Sequence, residues 1–136
     1  MLRSVFVIVG AAALVVGTAG WSPRLAEAPR AGRLIVVKAV DVSATEYKFA
    51  PGTVTVQPGD TVRFEQTAAS PHNVEFKEVP AGAKLGEAMS GPYLLAPGQT
   101  YDLVIDSRFA SGTYSYVCTP HEAFGMKATL TISAGK

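Results

Sequence analysis

Beyond residue 33 the chain consists of short runs in which apolar and polar residues alternate, and turn residues cut the runs apart. A period of two puts alternate side chains on opposite faces of an extended backbone, so such runs predict half-buried β-strands. The runs are 34–40 (LIVVKAV), 53–57 (TVTVQ), 61–66 (TVRFEQ), 72–77 (HNVEFK), 100–106 (TYDLVID), 112–118 (GTYSYVC) and 126–133 (MKATLTIS). Residues 45–49 (TEYKF) add a further edge strand. Pro51-Gly52, Pro58-Gly59-Asp60 and Pro97-Gly98 supply turn chemistry, proline by presetting φ and glycine by permitting positive φ. Only 82–90 (GAKLGEAMS) has the character of a short helix, and no internal repeat is visible. Seven to eight short strands in about one hundred residues predict an all-β Greek-key sandwich.

The full length of 136 residues suits one domain with its own core. Its single cysteine, Cys118, excludes an internal disulfide. Residues 1–33 carry four arginines against one glutamate, a net of +3, whereas 34–136 carry eight basic against ten acidic residues, a net of −2. The expected domain is thus mildly acidic and lacks the basic stripe that nucleic-acid binding requires.

The amino terminus has the pattern of an export signal. Arg3 precedes an apolar run from Val5 to Trp21 (VFVIVGAAALVVGTAGW), long for a signal core and short for a membrane span. Residues 1–21 are therefore expected to form a hydrophobic helix, either a signal peptide or an N-terminal membrane anchor, with the cleaved signal preferred. Gly17-Thr18-Ala19 and Ala26-Glu27-Ala28 both resemble small-residue cleavage sites. Arg24, Arg30 and Arg33 lie on the side to be translocated, against the usual charge bias. Residues 22–33 (SPRLAEAPRAGR) read as a linker and 34–136 as the folded domain.

The chemistry-bearing residues fall in two clusters. Both histidines and the only cysteine lie in Ser70-Pro71-His72-Asn73-Val74 and in Cys118-Thr119-Pro120-His121-Glu122-Ala123-Phe124-Gly125-Met126. The second cluster has the spacing C-x2-H-x4-M and joins the end of one expected strand to the start of the next. Strand parity puts Tyr114, Tyr116 and Cys118 on one face, the core face, so the thiol points inward at the strand's end. Each residue alone has an ordinary reading: a turn histidine, a core cysteine, a packing methionine. Together they make a His₂Cys trigonal set with a thioether as weak axial ligand, which suits copper. Zinc sites rarely include methionine.

These residues resemble the plastocyanin branch of the cupredoxins over about residues 41–133. The likeness rests on Pro58-Gly59-Asp60-Thr61-Val62, Pro71-His72-Asn73-Val74, Val79-Pro80-Ala81-Gly82, Ala96-Pro97-Gly98-Gln99-Thr100-Tyr101, Gly112-Thr113-Tyr114 and the Cys118–Met126 stretch. The resemblance implies an eight-stranded cupredoxin sandwich with one type 1 copper held by His72, Cys118, His121 and Met126. It implies that Asn73 holds the two ligand loops together near the sulfur, with Thr119 in the same supporting shell. It also implies that His121 passes the electron through an apolar patch including Pro71, Pro120 and Ala123. Val117 stands where plastocyanins commonly have an aromatic residue, and Phe76-Lys77-Glu78-Val79 lacks the plant acidic cluster.

The expected function is one-electron transport outside the cytoplasm, with no enzymatic activity. The alternatives are copper storage or delivery, or service as a small electron donor to one copper enzyme. Two histidines leave no ligands for a further catalytic copper. Expected partners are redox proteins such as cytochromes or copper/haem oxidases, met transiently by a monomer. Periplasm, thylakoid lumen or another extracytoplasmic space would house it, with membrane contact only through an anchor at residues 5–21.

Overall fold

Along Thr61–Gln66 every second side chain is buried, namely Val62, Phe64 and Gln66, and Lys127–Ile132 repeats the pattern with Ala128, Leu130 and Ile132. Each such strand has one face for a core and one for water, so two sheets must close on each other. The structure, a computed structural model, describes residues 30–135. The apolar stretch 1–21 and residues 22–29 of the expected linker lie outside the described residues. Among the described residues no helix is long and apolar enough to cross a membrane.

Among the described residues eight strands form: β1 (Leu34–Ser43), β2 (Glu46–Ala50), β3 (Thr53–Val56), β4 (Thr61–Gln66), β5 (Glu75–Glu78), β6 (Thr100–Val104), β7 (Gly112–Val117) and β8 (Lys127–Ile132). They make two four-stranded sheets, β2-β1-β4-β6 and β3-β8-β7-β5. The β1–β4 and β3–β8 pairs are parallel and the others antiparallel. Residues 45–49 were expected as an edge strand, and β2 is one.

The core between the sheets is aromatic at its centre. Tyr116 packs against Phe49, Phe64 and Phe76 with ring centroids 5.0, 5.5 and 5.7 Å apart, all edge-to-face. That geometry sets the positive edge of one ring on the negative face of another. The expected parity of β7 holds on its inner side, where Tyr114, Tyr116 and Cys118 have no exposure. On the other face Val117 is also buried, at 3 %.

Three segments differ from expectation. The first-histidine run does not begin as a strand: β5 starts only at Glu75, and His72 forms an isolated bridge with Leu94. Its main chain pairs with the 90–94 segment, through His72 N to Leu94 O, Leu94 N to His72 O and Gly91 N to Val74 O, so those groups are satisfied away from β7. The 82–90 stretch shrinks to a 3₁₀ turn, Gly86–Met89, because Gly86 takes φ +56° and a right-handed helix cannot continue through it. The segment after Cys118 is a 3₁₀ helix, Thr119–Phe124, where an open loop was expected.

Residues 30–33, the end of the expected linker, pack onto the turn between β3 and β4. Asp60, with no exposure, accepts from Arg30 Nη2 (2.6 Å), Arg33 Nη2 (2.8 Å), Arg33 N (2.8 Å) and Gln57 N (2.9 Å). Gly32 lies so close to this turn that a Cβ there would sit 1.8 Å from Gly59 O. Burial pushes the Asp60 carboxyl up, but the hydrogen bonds from Arg33, Arg30 and Gln57 outweigh it and hold the group well below the usual carboxylate range. Replacing Asp60 by Ala leaves two main-chain N–H groups unpartnered, and urea unfolding should show a loss of about 2–3 kcal/mol. The native carboxyl is depressed, so its contribution is complete above about pH 4 and fades on further acidification. Asp60→Ala should flatten that acid limb of the stability profile.

Candidate metal centre

Two chain segments meet at the end of the sandwich where β4 and β7 finish. The first carries His72. Its main chain is fixed by the reciprocal Leu94 bridge, and Gln66, fully buried at the end of β4, donates to Ser70 O and Leu94 O. The second follows β7. His121 N donates to Cys118 O (3.0 Å), Met126 N to His121 O (3.2 Å) and Cys118 N to Met126 O (3.1 Å). Pro120 suits the start of the 3₁₀ helix because its missing N–H has no partner to lose there. Gly125 ends the helix at φ +80°, a conformation that returns the chain toward β8 without a Cβ penalty.

The two segments are tied across by a pair of side-chain contacts. Thr119 N donates to Asn73 Oδ1 at 2.7 Å, and Asn73 Nδ2 donates to Thr119 Oγ1 at 3.0 Å. The Thr119 hydroxyl in turn donates to Glu75 Oε2 at 2.7 Å. Asn73 is 3 % exposed while Thr119 is exposed, so the pair bridges the buried site and the surface.

The result is a triangle of donor atoms. His72 Nδ1 lies 3.4 Å from Cys118 Sγ, His121 Nδ1 lies 3.4 Å from the same sulfur, and the two nitrogens are 3.2 Å apart. All three residues are buried, and among the described residues they are the one group of His, Cys, Asp or Glu side chains with metal-binding spacing. The point equidistant from the three atoms lies about 1.9 Å from each, close to the 2.0–2.3 Å reach of imidazole nitrogen and thiolate on first-row metals. The triangle therefore fits a trigonally held ion. Met126, fully buried, follows the loop directly.

Electrostatics agree with that reading. Burial pushes the Cys118 thiol up, and the Asp41 charge adds to it against N–H groups of Asn73 and His121. Burial likewise pushes the His121 imidazole down. Both groups are thus neutral on their own. A bound cation reverses the balance for the thiol, because it stabilises the thiolate directly.

Three side chains absent from the expected set belong to this region. Tyr47 of β2 stacks on the His121 ring, centroids 3.8 Å apart at 13°. Asp41 of β1 lies 2.8 Å from His72 Nε2. Phe124 stands 51 % exposed with its centroid 6.4 Å from that of His121. No spacing rule marks any of them, since they reach the site from other strands or from an unremarkable loop position. Pro71, Pro120 and Ala123 are exposed, while His121 itself is buried at 9 %.

The family of copper-binding proteins described as plastocyanin/azurin matches residues 36–133. The plastocyanin of Scenedesmus fuscus is 42 % identical over 86 residues, covering 62 % of this chain and 85 % of the relative. That of Prochlorothrix hollandica is 35 % identical over 109 residues, covering 79 % of each. The solved structure of oxidised plastocyanin from Dryopteris crassirhizoma superposes with a TM-score of 0.58 at 32 % identity, covering 72 % of this chain and 99 % of that one.

The Asn73–Thr119 pair should set how firmly the two segments are joined. Asn73→Ala removes both bonds and strands the Thr119 N–H, and denaturant unfolding of the metal-free protein should show a loss of about 1–2 kcal/mol.

Proposed function

The chain belongs to the plastocyanin/azurin family of copper-binding proteins and is a one-electron copper carrier, not an enzyme; we propose that His72, Cys118, His121 and Met126 are its ligands and that His121 is the exit for the electron. The observation that carries the ligand assignment is the buried triangle of two imidazole nitrogens and one sulfur with sides of 3.2–3.4 Å. Copper supplies a one-electron couple, Cu(I)/Cu(II), and with thiolate an intense visible charge-transfer band.

The protein's own part is rigidity and exclusion of water. His72 and His121 present Nδ1 inward, and Cys118 presents its sulfur from a strand end without exposure. Met126 would supply a weak thioether ligand. A set of donors fixed by strand ends and cross-loop hydrogen bonds moves little when the charge at its centre changes, which keeps reorganisation small. Tyr47 stacked on His121 restrains the ring least enclosed by the core. The apolar surface of Pro71, Pro120 and Ala123, extended by Phe124, would seat a partner close to His121. Such contacts are brief and small, below about 1,200 Å² in total. Redox proteins such as cytochromes or copper/haem oxidases are the partners this reading expects.

Export of the chain, with residues 1–21 as a signal peptide or anchor, completes this reading. The described chain enters at Arg30–Arg33, beside the start of β4, whereas Gln66 at the end of β4 supports the His72 loop. About 20 Å of strand separates the two. An anchored form would thus present the metal end away from its tether. Mass spectrometry of the mature amino terminus decides between cleavage and retention.

Copper-loaded protein should be blue and should titrate as a one-electron couple. Cys118→Ala should abolish the visible band, and retention of colour in that variant would refute the ligand assignment.

A further inference from the structure

Resting on the copper-site reading above, we infer that Asp41 is a positioning residue for His72: its carboxylate holds the ring with Nδ1 free for the metal and biases the couple toward Cu(II). The geometry is specific. His72 Nε2 donates to Asp41 Oδ1 at 2.8 Å, while the other carboxylate oxygen accepts from Ser70 N at 3.2 Å. Both oxygens are engaged, one by the ring and one by the loop that carries the ring, so the carboxylate cannot rotate without breaking a bond. His72 is 1 % exposed, so water does not compete for its outer nitrogen.

The strand explains how a carboxylate comes to lie there. Val37, Ala39 and Asp41 alternate along the inner face of β1, the first two in the core and the third at the metal end. The register of β1 with β2 shifts between Asp41 and Ser43, and such irregularities re-aim side chains at a strand's end. An aspartate at an inward position is a departure from apolar patterning, and the His72 and Ser70 contacts account for it.

Two consequences follow from the chemistry. An imidazole that donates from Nε2 to a carboxylate is locked in the tautomer whose Nδ1 carries the lone pair. A fixed negative charge one ring away from the ion favours the more positive oxidation state, so the Asp41 carboxylate should stabilise Cu(II) relative to Cu(I).

The test compares copper-loaded wild type with Asp41→Asn, which keeps shape and removes charge, and Asp41→Ala, which removes the bond as well. Glu46→Gln, an exposed change on the neighbouring strand, controls for loss of any one negative charge. Redox titration should show the Cu(I) to Cu(II) preference of Asp41→Asn raised about tenfold, a positive shift of about 59 mV for a one-electron couple, with the visible band retained. Glu46→Gln should shift less. Asp41→Ala should also lose about 10–100-fold in Cu(II) affinity. In the metal-free protein, ¹⁵N NMR should show His72 protonated at Nε2 in wild type and mixed between nitrogens in Asp41→Ala. Unchanged potentials in both Asp41 variants, with the blue band intact, would overturn the inference while leaving the ligand assignment standing. A wild type that binds copper without the band would overturn both.

Discussion

Three metal-seeking atoms held within hydrogen-bond distance of one another, out of contact with water, set the terms for the rest of this molecule. Two imidazole nitrogens and a thiol sulfur in such a cluster gain little from each other and forgo hydration. Burial keeps Cys118 and His121 uncharged, so the apo state tolerates the cluster by neutrality. The scaffold must therefore impose the geometry from outside. It does so with the Leu94 bridge beneath His72, the Asn73–Thr119 pair between the segments and the tight 3₁₀ helix that carries His121 back over Cys118.

The sandwich divides its labour between its two ends. At one end Asp60 draws Arg30, Arg33 and two main-chain groups onto a turn, tying the incoming chain to the sheet. At the other, Asp41 is used for a different purpose, bracing a ligand through its outer nitrogen. Both carboxylates sit beside strands whose inner faces are mostly apolar, and each is satisfied by at least two donors. Between the ends lies an aromatic core centred on Tyr116, two positions before Cys118 on the same face. The thiol's position is thus set by a strand whose inner aromatic side chains are fully buried, the arrangement a low-reorganisation electron carrier needs.

Much of this was legible in the residues. The period-two runs marked seven strands, with 45–49 as a further edge strand, because alternation is a local consequence of the pleat. The ligand loop was legible because C-x2-H-x4-M lies in one stretch, where chain length alone brings the groups near each other. The short β5 was not, since the partner of His72 is Leu94 and such pairing has no local signature. The 3₁₀ conformation of Thr119–Phe124 was missed although Pro120 and Gly125 mark its ends, because so short a helix has too few residues to show a period.

The sequence by itself indicated seven to eight strands and the inward face of Cys118, which depend on near neighbours in the chain, and it supplied a donor set whose chemistry suits copper. Only the tertiary structure decided that His72 closes on a sulfur 46 positions away, that Asp41 stands behind it and that Tyr47 covers His121. Those contacts depend on which strands share a sheet and in what register. A one-residue slip of β1 would turn Asp41 outward without altering a single local preference.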